Sequence, residues 1–459
     1  MKRSLLLAAV LAFTALTFTA CGGGSGSSPT GPQGNAQGQV FVTGEDAPLP
    51  SVVSFYITIN SIALNNSAGS VTVLSTPTTV DFGRLMGLRS LLGFNKVAPG
   101  TYTSATFTLA NPVIYFVNMT TQPPSMGSIN GTLTNATTTV AFPNGSPLTV
   151  SSNGLAGLHM DFDLRQSLAV DNNGQITGSV NPNIDVMAVS ASDDLGQITE
   201  FAGSVVSVNS GAGSFVMQGP YGFQEVIDTD TNTQYKTGDS FASVTSDAIV
   251  SVEGTVQADG SILASFIEIV TTDKAFISGR ILAVNPGPQV TMFVGEELPD
   301  LSPTIPVDTI YTVDLSGVVV YDVCFFDNWF TQQFFSGSTL VVGQRILVGG
   351  TYQSGVFTPQ MVSLRRQGVI GSLVQGSVNI SDASTNTGTF QMQNDLLMSY
   401  AAKGAFNVNT GVGTKFVNIG GLTGLQSAGA ANLVVRGLVF EDLNTQKPVV
   451  WAGRVRVLP

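Results

Sequence analysis

Three times in the C-terminal part of this 459-residue chain an apolar, strand-like run is broken by a Val-x-Gly step. The steps fall at Gly254 in VEGTVQADGSILASFIEI, at Gly350 in VGGTYQSGVFTPQMVSL and at Gly437 in VRGLVFEDLNTQKPVVWAGRVRV. A glycine in mid-strand marks a bulge or sharp bend, as the corner of a small barrel requires. Each step follows a stretch with a Gly, an apolar strand, a turn and a second strand. These stretches are AGSVVSVNSGAGSFVMQG from Ala202, SGRILAVNPGPQVTMFVG from Ser278 and IGSLVQGSVNISDASTNTGTFQMQ from Ile370. The interval between steps is the length of a domain rather than of a solenoid turn, so the repeats read as tandem modules of five or six strands.

The segment before them also reads as strands. VFVTGEDAPLP closes in a Pro-rich turn, and SFYITINSIAL alternates Phe55, Ile57 and Ile59 on one face. In VDFGRLMGLRSLLG, Leu85, Leu88 and Leu92 recur at helical spacing and predict a short helix. VAPGTYTSATFTL turns at Pro99-Gly100 into another strand, and HMDFDLRQSLAV with NNGQITGSVNPNI forms a hairpin around Asn173-Gly174. A polar fraction dominated by Thr, Ser, Asn and Gly favours strands and turns over helices. The expectation is an all-β chain of four folded units in series, covering residues 39–195, 200–273, 275–366 and 368–459.

DAPLP (residues 46–50), the strand after it, VDFGRLMGL, VAPGTY (97–102) and MDFDLRQSLAV together resemble domain-of-unknown-function family 4382, found in bacterial lipoproteins and secreted proteins. The resemblance covers about residues 38–189. It implies a β-sandwich of prealbumin or immunoglobulin type and brings no catalytic residues with it. The Val-Glu-Gly-Thr-Val-x-x-Asp-Gly-Ser-Ile-x-Ala pattern of the first repeat resembles domain-of-unknown-function family 5666, which implies small closed or OB-like β-barrels. The second and third repeats match that pattern more loosely, and the second carries an insertion.

The N-terminus reads as an address. Lys2 and Arg3 precede an apolar run from Leu5 to Phe18, too short to span a membrane comfortably, and small residues follow. Phe18-Thr19-Ala20-Cys21 resembles a bacterial lipobox, so residues 1–20 are expected to be a lipoprotein signal peptide and Cys21 the lipid attachment site. Residues 21–38, rich in Gly, Ser and Pro, read as a flexible tether. Gly22, where Asp signals inner-membrane retention in enteric bacteria, points by analogy to the outer membrane. The expected location is the cell envelope, with the folded part held at a membrane by its N-terminal lipid.

Charge narrows the partners. The chain has 18 Lys and Arg against 30 Asp and Glu. Without the signal peptide the net charge is about −14, which repels phosphate backbones and argues against nucleic-acid binding. Cys324 is the one cysteine besides Cys21, so no disulfide framework holds the fold.

Chemistry-bearing residues are few. His159, the single histidine, has no recognisable nucleophile or metal partner by spacing and reads as a histidine in or beside a strand. Asp228, Asp230 and Asn232 in IDTDTNTQY put oxygen ligands at alternate positions, as a calcium loop opens. Counted from Asp228, however, the sixth residue is Thr233 rather than Gly and the twelfth is Asp239 rather than Glu. The alternative is a polar strand face at a hairpin mouth, and no other cofactor is expected. In CFFDNWFTQQFF, Phe326, Trp329, Phe330 and Phe334 fit an amphipathic helix plugging a barrel end. Exposed, the same residues would stack on sugar rings or meet a protein partner. Asp161 and Asp163 would share a strand face, and Asp193-Asp194 sits in a linker.

The functional expectation is a non-enzymatic, membrane-anchored lipoprotein that presents binding or adhesive β-modules to a glycan or an envelope protein. The alternatives are a carbohydrate-binding accessory protein using the Trp329 cluster and a hydrolase working through carboxylates alone.

Overall fold

The computed structural model describes residues 37–458 except 48, 50–51, 86–87, 119–124, 173–174, 220–223, 237, 272–274, 325–334 and 395–403. The signal peptide, Cys21 and most of the tether therefore lie outside the described residues.

Strand alternation builds the first unit as expected. Phe55, Ile57 and Ile59 on the strand Val52–Asn66 are fully buried and face Phe107 and Leu109 of Ser104–Asn118 within one apolar core. Those strands lie in a six-stranded sheet. The opposing four-stranded sheet contains Gly38–Ala47, paired in parallel with Leu155–Asp163 and antiparallel with Ser90–Val97. Val40, Val42, Leu158 and Met160 supply its side of the core, so the unit is a two-sheet sandwich.

The predicted helix over VDFGRLMGLRSLLG does not form. Phe82–Arg84 is one 3-10 turn, and Ser90–Val97 is a strand bonded to Gly38–Ala47. Leu85 and Leu88 are buried, but in the loop between these elements. The apolar spacing was real, but pairing with a sheet edge won over local helical periodicity. Gly83 also packs where a Cβ would sit 2.9 Å from the Ser54 Cα, so this turn must hug the sheet. The strands Leu168–Val170 and Ile176–Val180 pair as the expected hairpin, whose Asn173-Gly174 turn lies outside the described residues.

The Val-x-Gly steps are β-bulges in all three modules. The register shifts at Glu253/Gly254, at Gly349/Gly350 and at Arg436/Gly437. A Cβ there would lie 2.3 Å from the Leu263 carbonyl oxygen, 2.1 Å from that of Thr358 and 2.1 Å from that of Trp451. Only glycine allows that approach.

In the first module, Ile198–Asn209, Ser214–Gln218, Gln224–Asp228, Ile262–Thr271 and Ile249–Val256 pair in that order, and the last strand returns to the first. The ring closes through a parallel contact, as an OB-like barrel requires. The third module closes the same way through Gly404–Thr410 against Lys447–Val457, with Leu422 and Leu425 of the short helix Gly421–Ser427 in its core.

The second module departs from this expectation. Its third strand, Thr309–Asp314, pairs with Gln289–Leu298, but among the described residues it does not reach Val356–Arg365. Instead, Val320–Val323 pairs in parallel with Val356–Arg365, at Met361 to Leu364. Pro359, which faces the bulge at Gly350, has no N–H to offer a joining strand.

The units are not strung out in line. Phe41 of the sandwich lies in the first module's core, and Leu438 and Phe440 of the third module lie in the second's. Ile249, Phe276, Leu347 and Met361 form a further apolar cluster between the first and second modules. Residues 36–459 accordingly form one compact unit. Among the described residues, no helix is long and apolar enough to cross a membrane.

Candidate functional site

A cleft of about 460 Å³ opens between the sandwich and the first module. Leu92 and Phe94 on Ser90–Val97 form one wall, and Phe201 and Ile262 form the other. Gly260 lies at the turn before Ile262–Thr271 with φ +94°, and a Cβ there would be 3.2 Å from the Phe94 ring. The cleft size and its apolar walls with a few polar groups are typical of small-molecule sites.

Its charged groups are mostly acidic, with Arg84 as the one cation in the described lining. Asp228 Oδ2 accepts from Gln257 Nε2 at 2.9 Å and lies 2.7 Å from Ser261 Oγ. Asp259 Oδ1 accepts from Ser261 Oγ at 2.8 Å and from the Ser261 amide at 3.0 Å, and these hydrogen bonds hold its carboxyl below the usual range. Glu225 sits on the neighbouring strand Gln224–Asp228, where burial pushes it up to about 7. At the cleft floor Asp81 accepts from Ser54 Oγ at 2.6 Å and from the Phe55 amide at 2.8 Å, and burial raises it. The lining therefore combines a carboxyl raised by burial, Glu225, with one held low by hydrogen bonds, Asp259.

The calcium-loop residues do not converge. Asp228 turns into the cleft wall, whereas Asp230 closes its own turn by accepting from the Asn232 amide at 2.8 Å and the Thr233 amide at 3.1 Å. This is an Asx-type turn. No group of three or more His, Cys, Asp or Glu side chains arranged for a metal occurs among the described residues.

Phe326, Trp329, Phe330 and Phe334 lie outside the described residues. The ends of that segment point inward. Phe335 is buried with its ring edge-on to Tyr321 at 6.0 Å, and Cys324 is a free thiol that burial pushes up to about 12.

His159 is fully buried on Leu155–Asp163, its Nδ1 3.1 Å from Thr43 Oγ1, which also donates to the Leu195 carbonyl. Burial lowers it to about 4, so it is a neutral core residue. Asp161 is buried against Arg456 at 2.9 Å, while Asp163 caps a helical turn by accepting from the Gln166 amide. Asp194 lies in the expected connection between the sandwich and the first module but is not a merely solvated turn residue. It reaches Arg454 at 3.4 Å and Arg89 at 3.7 Å at the junction of the units.

That junction is a second concentration of charge, and reading the sequence did not find it. Glu45 of the sandwich meets Arg454 at 3.3 Å and Arg89 at 3.7 Å. Glu200 lies between Arg365 at 3.1 Å and Arg345 at 2.9 Å. Glu268 lies between Arg365 at 2.9 Å and Lys236 at 3.0 Å. Burial alone would raise Glu45 and Glu200, but the flanking guanidinium groups bring both down to about 2. The signal available in sequence was arginine inside apolar strands, as in SLRRQGVIG, VVRGLVF and WAGRVRV. A charge is rarely buried there without a partner.

Family models match two stretches of the chain. Domain of unknown function (DUF4382) covers residues 37–177, and Domain of unknown function (DUF5666) covers residues 202–268, in that order. They coincide with the sandwich and the first module, the two regions whose motifs carried the resemblances. No curated protein matches the chain.

Proposed function

We propose that the protein is a non-enzymatic binding module of the bacterial cell envelope, tethered to a membrane through lipid on Cys21. Its ligand seat is the cleft between the sandwich and the first module. The observation that carries this reading is the cleft itself, with Leu92, Phe94, Phe201 and Ile262 as apolar walls and Glu225, Asp228 and Asp259 as hydrogen-bond acceptors. Such a lining suits a neutral or cationic ligand with an apolar face, and Phe94 and Phe201 offer rings on which a sugar can stack.

Nile red, neutral and apolar, should bind the full chain saturably, and Leu92→Gln should weaken that binding about fivefold or more. Equal binding by parent and variant would remove the cleft as the seat. Anchoring is tested separately by fractionation, where Cys21→Ser should move the protein from the membrane to the soluble fraction.

One observation favours a second reading, a carboxylate-dependent hydrolase. Glu225, held protonated near neutrality, and Asp259, held charged, divide as the acid and base of glycoside hydrolysis do. Turnover of chromogenic glycosides, abolished by Glu225→Gln, would establish it. No turnover leaves the binding reading in place.

A further inference from the structure

At the junction of the units a pocket of about 140 Å³ is lined by side chains from every unit. Arg89 comes from the sandwich, Glu253 from the first module, Arg366 from the end of the second, and Lys415, Arg436 and Arg454 from the third. Asp194, in the connection between the sandwich and the first module, stands at the mouth beside Lys415 at 3.4 Å, whose side chain is 63% exposed.

Among the described residues, the cations of this pocket share their carboxylates, whereas those around it pair more evenly. Away from the pocket, Arg84, Lys236, Arg345 and Arg365 are matched by Glu200, Glu268, Glu296 and Asp322, and Arg456 pairs with Asp161. At the pocket, Arg89, Arg366, Arg436, Arg454 and Lys415 share three carboxylates. Glu45 and Asp194 serve Arg89 and Arg454, and Asp194 also serves Lys415. Glu253 serves both Arg366 and Arg436. Among the described residues, guanidinium and ammonium groups thus outnumber the carboxylates that line this pocket, in a chain whose net charge is −12.

Arg436 is buried with 7% of its surface exposed, and its Nη2 is 3.7 Å from Glu253, beyond hydrogen-bond reach. Its Nε and Nη2, together with Nη2 of Arg454, are buried donors with no hydrogen-bond partner among the described residues. Buried guanidinium donors are costly to leave unpaired and match the oxygens of phosphate and carboxylate groups. Burial, reinforced by repulsion from Arg366, lowers Arg436 to about 9, against the pull of Glu253 and Glu200.

We propose that this pocket binds a free, doubly charged tetrahedral oxyanion, phosphate or sulfate, which bridges Arg436 and Arg454 and joins the third module to the rest of the molecule. The unpaired guanidinium donors of Arg436 and Arg454 face oxygens of such an ion, and the cavity of about 140 Å³ admits one small ion. Lys415 and Asp194 would act as the gate to solvent.

Inorganic phosphate and sodium sulfate, each titrated calorimetrically into the full chain at constant ionic strength set with chloride, test this directly. At least one of them should bind saturably at one site per chain. Arg436→Leu should weaken that binding about tenfold or more, and Lys415→Ala about threefold. The Lys415 variant removes an exposed side chain, so it reports even if Arg436→Leu fails to fold. The proposal is overturned if both ions behave like chloride, or if binding is unchanged in Lys415→Ala and in folded Arg436→Leu.

Discussion

The sandwich core and the charged junction are both buried, yet they are built on opposite principles. The core places Phe55, Ile57, Phe107 and Leu109 against one another by strand alternation, and each contributes by leaving water. The junction places Glu45, Glu200, Glu268 and Arg365 in the same dry setting, where each is tolerated only beside its partners. Apolar packing thus holds each unit together and also seals some seams, as at Phe276 and Met361. Ion pairs fix which unit meets which, because a carboxylate buried without its arginine is heavily penalised while a misplaced leucine is not. The contrast assigns stability to the cores and uniqueness of assembly to the junction.

The largest effect should come from removing the arginine shared by two buried acids. Arg365→Leu leaves Glu200 and Glu268 short of compensation and should cost about 3–5 kcal/mol in urea unfolding. Replacing Arg365, Glu200 and Glu268 together by apolar residues should recover most of that loss, since a buried network exchanged for packing is often neutral. If the triple variant is as unstable as the single one, the ion pairs contribute to stability itself and the contrast breaks down.

Acid should act on the junction before the cores. Glu200 is held at about 2, below its ordinary value of 4.5, so the unfolded chain takes up the proton first as the pH falls. Its contribution is complete above about pH 4.5 and gone by about pH 2, worth about 3 kcal/mol. Asp161 and Glu225, raised by burial to about 6 and about 7, act in the opposite sense and favour the fold at lower pH. The informative quantity is therefore the difference between parent and variant. Glu200→Gln should flatten the acid limb of stability between pH 4.5 and 2, and an unchanged limb would mean the pairing is not formed in solution.

The smallest effect belongs to the rim. Lys415→Ala, at an exposed pair with Asp194, should change stability by no more than about 1 kcal/mol and should lose even that effect in high salt. A larger change would show that the junction extends to the surface.

Short-range pattern explains what the sequence disclosed. Phe55, Ile57 and Ile59 announced their strand because alternation is a local property. Gly254, Gly350 and Gly437 announced the bulges because only glycine admits a neighbouring carbonyl so closely. The stretch around Leu85, Leu88 and Leu92 misled because its partner, Gly38–Ala47, lies far back in the chain. The same distance hid the junction, where Arg454 and Glu45 are 409 residues apart and Arg456 and Asp161 are 295 apart. Asp194 looked like a solvated turn residue for that reason. The cleft was hidden too, since Glu225 and Phe94 become neighbours only when two units pack.

The contact between Arg454 and Glu45 also orders events during synthesis. A chain made from its N-terminus normally completes its first domain early. Here Glu45 has only Arg89 of its own unit as a partner until Arg454, on the strand Lys447–Val457, has emerged. The pairing of Glu45 is thus completed only once residues 447–457 have been made, and a chain lacking them carries that defect in its first unit.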